Sequence, residues 1–398
     1  MPRPNSSRQR DAIANASALG IAIAVATAVA TYAATSVRVD LLARRGRTGS
    51  FGLRDSGGVA IPQAGSQLVD AVVPVHNAPA LARRCIESVL GQVGDRLGEL
   101  VVVDDASGAE TVAMLASLRH PKLRVIRSEE NRGYGASVNR GVASGRSPLV
   151  LQLNSDVAAR DDFLTPLVAA LDADPKLAAL SPGGNTYDRY HLDRYARRSG
   201  CVVSNHLSGY AFLIRRSIFE AMDGFDPIFG RGYFEDTDLS RRILCAGHWI
   251  GVHPAAVLEH ESHGSFSVRA ERRAWIDTNR VRYHERWPAA NRHVMLATRS
   301  ERGTDLPPQL VTEAWRVLDD GGSIWWVSPA APREILGIGM RGDRMGFARG
   351  ARRIRKEYSD PWKRYRELWL TDDAPALPVA VLRAAARSTG VEVRRWQR

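Results

Sequence analysis

The chain reads as an α/β protein built around a largely parallel sheet, and three observations predict it. From Leu68 onward, short apolar runs alternate with stretches whose apolar residues recur at helical spacing. Polar residues gather where the apolar runs end, which is where parallel sheets place their ligands. The 398 residues are 44% apolar and 25% charged, enough to fill a sizeable core. That composition excludes a wholly disordered, collagen-like or multi-span chain.

Between Asp11 and Arg38 no residue is charged, and this stretch is long enough to cross a bilayer as a helix. Ala and Thr dominate it, so insertion is only weakly favoured. Residues 1–37 are therefore expected to form a hydrophobic helix and membrane anchor, with an Ala-rich interfacial helix or an export signal as other readings. Arg3, Arg8 and Arg10 precede it, and Arg38, Arg44, Arg45 and Arg47 follow. This bias slightly favours the bulk of the chain on the cytoplasmic side. Residues 38–66 are rich in Arg, Gly and Ser and read as a linker. Cys85, Cys201 and Cys245 are odd in number and form no CxxC pair, as expected of reduced thiols.

Residues 67–290 carry the main α/β pattern. VDAVVPV reads as a strand, and HNAPALARRCIESVLGQ follows with apolar residues at helical spacing. ELVVVDDAS is a second strand, ETVAMLASLR a helix, LRVIRSEEN a strand, GASVNRGVASG a helix and PLVLQLNSDV a strand. Their ends carry His76 and Asn77, Asp104 and Asp105, Asn131, and Asn154 with Asp156. No GxGxxG opens the first helix, which argues against a dinucleotide-binding site there, and no GxxxxGK[ST] occurs, so P-loop phosphate binding is not supported.

Each polar cluster has a structural and a chemical reading. Asp104–Asp105 closes a turn or accepts from a nucleobase N–H. Asp156 closes a turn or ligates Mg2+ or Mn2+, which take oxygen ligands and keep waters. Glu235, Asp236 and Asp238 open a helix, with Arg241 and Arg242 further along, as a helix dipole favours. Three acids beside a Gly- and aromatic-rich loop exceed what capping requires, and one can serve as a general base. His260 and His263 flank Glu-Ser after a strand, as structural imidazoles or as metal ligands.

PVHN, VVVDDAS, NRGYGASVNRG, LNSDV, GYAFLIRRSIFEAMDGFDPIF, EDTDLSRR and HESHGS occur in the order found in family 2 glycosyltransferases. The chain resembles that family over residues 68–290, nearest its bacterial rhamnosyltransferase- and galactofuranosyltransferase-like members. The resemblance implies a GT-A nucleotide-diphospho-sugar transferase fold and an inverting, metal-dependent transfer. The donor would be a UDP- or dTDP-sugar, and the acceptor a hydroxyl of a lipid-linked or cell-envelope glycan. Position by position, it implies nucleotide binding by Pro74, His76, Asn77, Asp104, Asp105, Asn131 and Gly133. It implies a metal site at Asp156 and His260, with His263 as the other candidate histidine. Asp236 would be the catalytic base with Glu235 positioning, and Gly209, Tyr210 and Asp238 would meet the acceptor. Asn154 stands where the family usually has the first acid of Asp-x-Asp, which bears on metal affinity. The alternative is a non-catalytic sugar-nucleotide-binding or glycan-binding scaffold of the same fold.

Residues 291–398 form the expected small α/β accessory domain. LVTEAWRVLDDGGSIWWVS is similar to the late strand–helix–strand of class I methyltransferases, but no Gly-rich methyl-donor loop precedes it. The expectation is a half-Rossmann remnant without methyl transfer. Of the chain's net +12, residues 341–366 alone contribute +7, from ten Lys/Arg and three Asp/Glu. Interleaved with Phe347, Tyr358, Trp362 and Tyr365, this segment suits an anionic membrane surface or a solvated helix. No nucleic-acid module accompanies it, so no nucleic-acid partner is expected. Together these readings place the protein at the cytoplasmic face of a membrane.

Overall fold

The first sheet is built outward from its most apolar strand. In the computed structural model, which describes residues 68–261, 269–344 and 347–397, β1 (Val69–Val75) is buried along its whole length. It lies between two parallel neighbours, so both of its faces are covered and the run needs no alternation. The N-terminal helix and linker expected over residues 1–66, and His263, lie outside the described residues. No helix among the described residues is long and apolar enough to cross a membrane.

Chain order is β1, α1 (Pro79–Gln92), β2 (Leu97–Asp104), α2 (Ala109–Ser117), β3 (Leu123–Arg127), α3 (Tyr134–Ser144), β4 (Leu149–Leu153) and β5 (Val157–Ala159). Then come α4 (Leu164–Ala173), β6 (Leu177–Gly183), β7 (Val202–Ser204), β8 (Ala211–Arg215), α5 (Arg216–Ala221), α6 (Glu235–Cys245), β9 (Trp249–His260) and α7 (Arg269–Arg286). The sheet runs β3-β2-β1-β4-β8-β6-β9-β5, with β7 also on β9. Its first four strands are parallel, as the alternating pattern predicts. Beyond β4 it becomes mixed, because β8 returns antiparallel between β4 and β6. Asp70, the single acid inside β1, is neutralised by Arg216 at 2.9 Å and accepts the backbone N–H of Arg146 and Ser147 (2.6 and 2.7 Å).

A turn at Pro288–Asn291 leads into the second sheet. It comprises β10 (His293–Ala297), α8 (Pro308–Asp319), β11 (Ser323–Ser328), β12 (Met340–Arg344), α9 (Phe347–Glu357), β13 (Glu367–Thr371), α10 (Ala376–Thr389) and β14 (Glu392–Trp396). All its pairings are parallel, in the order β12-β11-β10-β13-β14. This corrects the half-Rossmann expectation, since five strands form the doubly wound order. The edge strands MRGDR and EVRRW escape notice in the sequence because edge positions let charged side chains project to solvent. One apolar core runs from Val69 and Leu100 through Val202 to Val294, Trp326 and Trp369, joining both sheets.

Candidate active site

The strand ends of the first sheet open into a cleft of two adjoining cavities, of about 240 and 480 Å³, which share Tyr134, Asn154 and Arg231. Pro74, His76, Asp105, Asn131 and Gly133 line the smaller one, together with Glu271 and Trp275 from α7. His76 is exposed there, with its Nδ1 2.8 Å from the Asp105 carbonyl oxygen. The two carboxylate oxygens of Asp105 accept the backbone N–H groups of Arg132 and Gly133, both at 2.9 Å. That fixes the loop entering α3, and lone pairs remain on the carboxylate for a ligand N–H. Gly133 is required at this point: its φ is +88°, and a Cβ would meet the Arg231 Cα and the Gly230 carbonyl at 2.7 Å.

Two expected nucleotide residues, Asp104 and Asn77, do not line this cavity. Asp104 accepts the Ser107 N–H (2.9 Å) and pairs with Arg127, so it faces a separate groove beside α2. Alternate side chains of a strand point to opposite faces, which separates neighbouring Asp104 and Asp105. Asn77, with φ 62°, accepts the Gly108 N–H on its Oδ1 and donates its own backbone N–H to Ser107 Oγ, tying two loops together.

The larger cavity holds the expected metal residues. β5 pairs antiparallel with β9, setting Val157 opposite His260 and so bringing Asp156 beside the imidazole. His260 Nε2 lies 3.3 Å from Asp156 Oδ1. Asp156 Oδ1 and Asn154 Oδ1 are buried and accept no hydrogen bond. Oxygen atoms left bare in this way, next to an imidazole, fit a hard divalent cation. No three His, Cys, Asp or Glu side chains converge among the described residues, so phosphate and water oxygens would complete such a site. Tyr210, expected to touch acceptor, is buried instead. Its ring stacks on His260 (centroids 5.1 Å, 18° between planes), and its hydroxyl bonds the carbonyls of Pro182 and Gly183 (2.7 and 2.8 Å). Its place at the start of β8 makes it the imidazole's support.

Glu235 and Asp236 close the far wall of the larger cavity. The loop before them takes left-handed backbone at Gly230, Gly232, Tyr233 and Phe234. Two consecutive non-glycine residues in that region are strained and must be held from outside. Asn279 holds them: buried on α7, its Nδ2 reaches the carbonyls of Phe229, Gly232 and Tyr233 at 2.8, 2.8 and 3.1 Å. Arg282 adds a bond to the Ile228 carbonyl at 2.7 Å. Asp238, the third acid, is fully buried and saturated by Arg242, Arg286 and the Trp287 indole (2.8, 2.9 and 2.9 Å). It anchors α6 to α7 and does not reach the cavity, contrary to the acceptor role expected of it.

The remaining pair is tuned by burial. Desolvation, and then the charge of Asp236, push the Glu235 carboxyl up to about 8. Asp236 is also raised by burial, against the opposing pull of bonds from Thr237 and Gly209. Its Oδ1 accepts Thr237 N–H at 2.7 Å, whereas Glu235 Oε2 is buried without a partner. The negative charge of the pair therefore resides on Asp236, and Glu235 keeps its proton. Gly209 lies directly against this carboxylate, where a Cβ would sit 2.7 Å from Asp236 Oδ2.

Sequence reasoning assigned no role to Tyr134, Arg231, Arg272, Trp275 or Asn279. Tyr134 donates to the Gly209 carbonyl at 2.9 Å and receives Gln152, joining the two cavities. Arg231 stands over the Trp275 ring (5.6 Å), and Arg272 over that of Tyr233 (5.9 Å). Two signals were available: Arg231 sits between two glycines, and Trp275 and Asn279 share one helix face at a spacing of four.

Residues 70–223 match the family model described as Glycosyl transferase family 2. Succinoglycan biosynthesis protein ExoO of Rhizobium meliloti is 31% identical over 221 residues, 50% of this chain and 62% of that protein. N-acetylglucosaminyl-diphospho-decaprenol L-rhamnosyltransferase of Mycobacterium tuberculosis is 27% identical over 214 residues, 42% of this chain and 67% of that protein. The chain thus spans about three-fifths to two-thirds of the length of these curated relatives. Among solved structures, GalNAc-T7 with UDP, GalNAc and Mn2+ aligns with a TM-score of 0.47 and 17% identity, over 56% of this chain and 49% of that one.

Proposed function

We propose, for a chain whose residues 70–223 match the family 2 glycosyltransferase model, that it moves a sugar from a nucleotide diphosphate to an acceptor hydroxyl with inversion, on a GT-A architecture. One observation carries this reading: Asp105, Asp156, His260, Glu235 and Asp236 line a single continuous cleft. The smaller cavity takes the nucleoside, with Asp105 and His76 at its wall. Asp156 and His260 would hold Mg2+ or Mn2+, which supplies positive charge to the departing diphosphate. Asp236 faces the acceptor and removes its hydroxyl proton as that oxygen bonds to the anomeric carbon. The bond from that carbon to the diphosphate oxygen breaks, and its electron pair leaves with the nucleotide. Glu235, protonated, donates a hydrogen bond in the same cavity and orients the acceptor. With Asp236 acting as base on the acceptor hydroxyl, the transfer is a single displacement.

The donor is a UDP- or dTDP-sugar, and the acceptor a cell-envelope or lipid-linked glycan at the cytoplasmic face of a membrane. The M. tuberculosis relative, named for a diphospho-decaprenol acceptor, supports that acceptor class. The test is release of nucleoside diphosphate from a panel of nucleotide sugars with Mg2+ or Mn2+, scored with and without glycan acceptors. Asp236→Asn is expected to lower transfer by about 10²–10⁴-fold while donor binding, followed calorimetrically, persists. If no donor is consumed although one binds, the scaffold reading replaces this one. If Asp236→Asn loses donor binding as well, the residue is structural.

A further inference from the structure

The two helical layers of the second sheet differ sharply. α8 lies between that sheet and the rest of the protein, its Leu310, Ala314, Val317 and Leu318 within the shared core. α9 and α10 pack together on the other face, over Met295, Ala297 and Val327. Right-handed crossovers require this, because the connections into β13 and β14 run opposite to those into β11 and β12. The outer sides of α9 and α10 therefore face solvent side by side.

What they present there is unusual. α9 buries Gly350, Ala351 and Ile354 and exposes Arg349, Arg352, Arg353, Arg355 and Lys356. Its one acid, Glu357, sits 4.0 Å from Arg353. α10 buries Val379, Leu382, Ala385 and Ala386. Its outer stripe is Leu377, Ala380, Val381 and Ala384, all exposed and spaced to form one continuous face. Leu377 is 79% exposed and Val381 42%. A helix facing only water would carry polar or charged residues at those positions; this one is apolar on both sides and contains no acid. Tyr358, 46% exposed, follows the basic helix.

We infer that the α9–α10 face docks on an anionic lipid bilayer. Arg349, Arg352, Arg355 and Lys356 meet the headgroups, and Leu377 and Val381 enter the acyl boundary. A row of cations beside an aliphatic stripe complements such an interface on both counts. A nucleic-acid backbone would use the cations but give the stripe nothing to bury against. The inference does not depend on sugar transfer, because binding is read with no donor present.

The test is flotation of the full chain with phosphatidylcholine vesicles, with and without phosphatidylglycerol. Wild type is expected to float with the anionic vesicles and to lose binding as salt rises. The Arg349→Glu/Arg352→Glu/Lys356→Glu variant should lose about a hundredfold or more in partitioning, at roughly fivefold for each cation neutralised. Leu377→Ser/Val381→Ser should lose about tenfold with every charge intact. Both variants should melt as wild type does and consume nucleotide sugar in solution at the same rate, since neither touches the cleft. Equal flotation of wild type and both variants would overturn the inference. So would loss in the charge variant alone together with tight binding of wild type to RNA or DNA.

Discussion

The two sheets share one strand order over four strands yet end very differently. β3-β2-β1-β4 and β12-β11-β10-β13 are both parallel and wound alike, so the strand order reverses between β1 and β4 in one and between β10 and β13 in the other. In the first sheet the chain leaving these strands presents His76, Asp105, Asn154 and Asp156 to an open cleft. In the second the corresponding residues close on one another. Asp373 accepts from Thr298, Ser300, Thr371 and the Arg299 N–H, and Ser328 bonds the Ala330 carbonyl. Topology thus offers a place for a ligand, and the chain that follows each strand decides whether the place stays open. At the first sheet the missing wall is supplied by α6 and the loop before it, which α7 braces.

The comparison breaks most visibly if the open cleft loses its charged centre. Asp156→Ala and His260→Ala are expected to cost about 10²–10³-fold in turnover. Either variant should also raise the Mg2+ or Mn2+ concentration needed for half-maximal rate, and chelation should abolish the wild-type reaction. Turnover that is indifferent to chelator would remove the cation from the account. Next comes the brace. Asn279→Ala should lower kcat about 10–10²-fold with a smaller rise in donor KM, because the loop it holds leads into the carboxylates and carries Arg231 at the edge of the nucleoside cavity. Asn279→Asp keeps the shape but brings no N–H donors, so it should fall as far. A rise in KM alone would mean that Asn279 supports the fold and not the position of Asp236.

Much of the first sheet was legible because its central strands are largely buried and read as mostly apolar runs, interrupted by single polar residues such as Asp70 and Gln152. Asp105, Asp156, Glu235, Asp236 and His260 were legible as polar residues at element ends. Sequence could not separate residues that enter the cleft from neighbours that hold it. Asp104 and Asp105 are adjacent but face opposite sides, and Asp238 is two residues from Asp236 yet saturated by Arg242, Arg286 and Trp287. Such distinctions depend on where a distant helix packs. Asn279 was hidden for that reason: its three acceptors lie 46 to 50 residues earlier in the chain.

A smaller effect sharpens the picture of the open cleft. An ordinary glutamate is ionised above the low-pH carboxylate range, whereas Glu235 keeps its proton up to about pH 8. Between those two limits the folded chain binds a proton that the unfolded chain has released, so this group's contribution to stability declines as pH rises through the window. Glu235→Gln carries no such proton. Its melting temperature should therefore match wild type near pH 5 and exceed it by a few degrees at pH 8 to 9, where the buried charge is most costly. Identical pH dependence of melting in both proteins would show that Glu235 is solvated and ionised at neutral pH, and so unable to donate to an acceptor.

The least effect on catalysis is expected in the closed sheet, and there the comparison is most exposed. Asp373→Ala removes one carboxylate that satisfies Thr298, Ser300, Thr371 and the Arg299 N–H. Thr298, Ser300 and Thr371 are buried, so their donors are left in a poorly hydrated place. Stability should fall by about 1–3 kcal/mol in urea titration. Turnover per folded molecule and the KM for donor should not move, because no atom of the cluster reaches the cleft. If turnover falls while the fold persists, the reversal point of the second sheet is no mere structural knot, and the contrast between an open and a closed sheet fails at the residue that defines it.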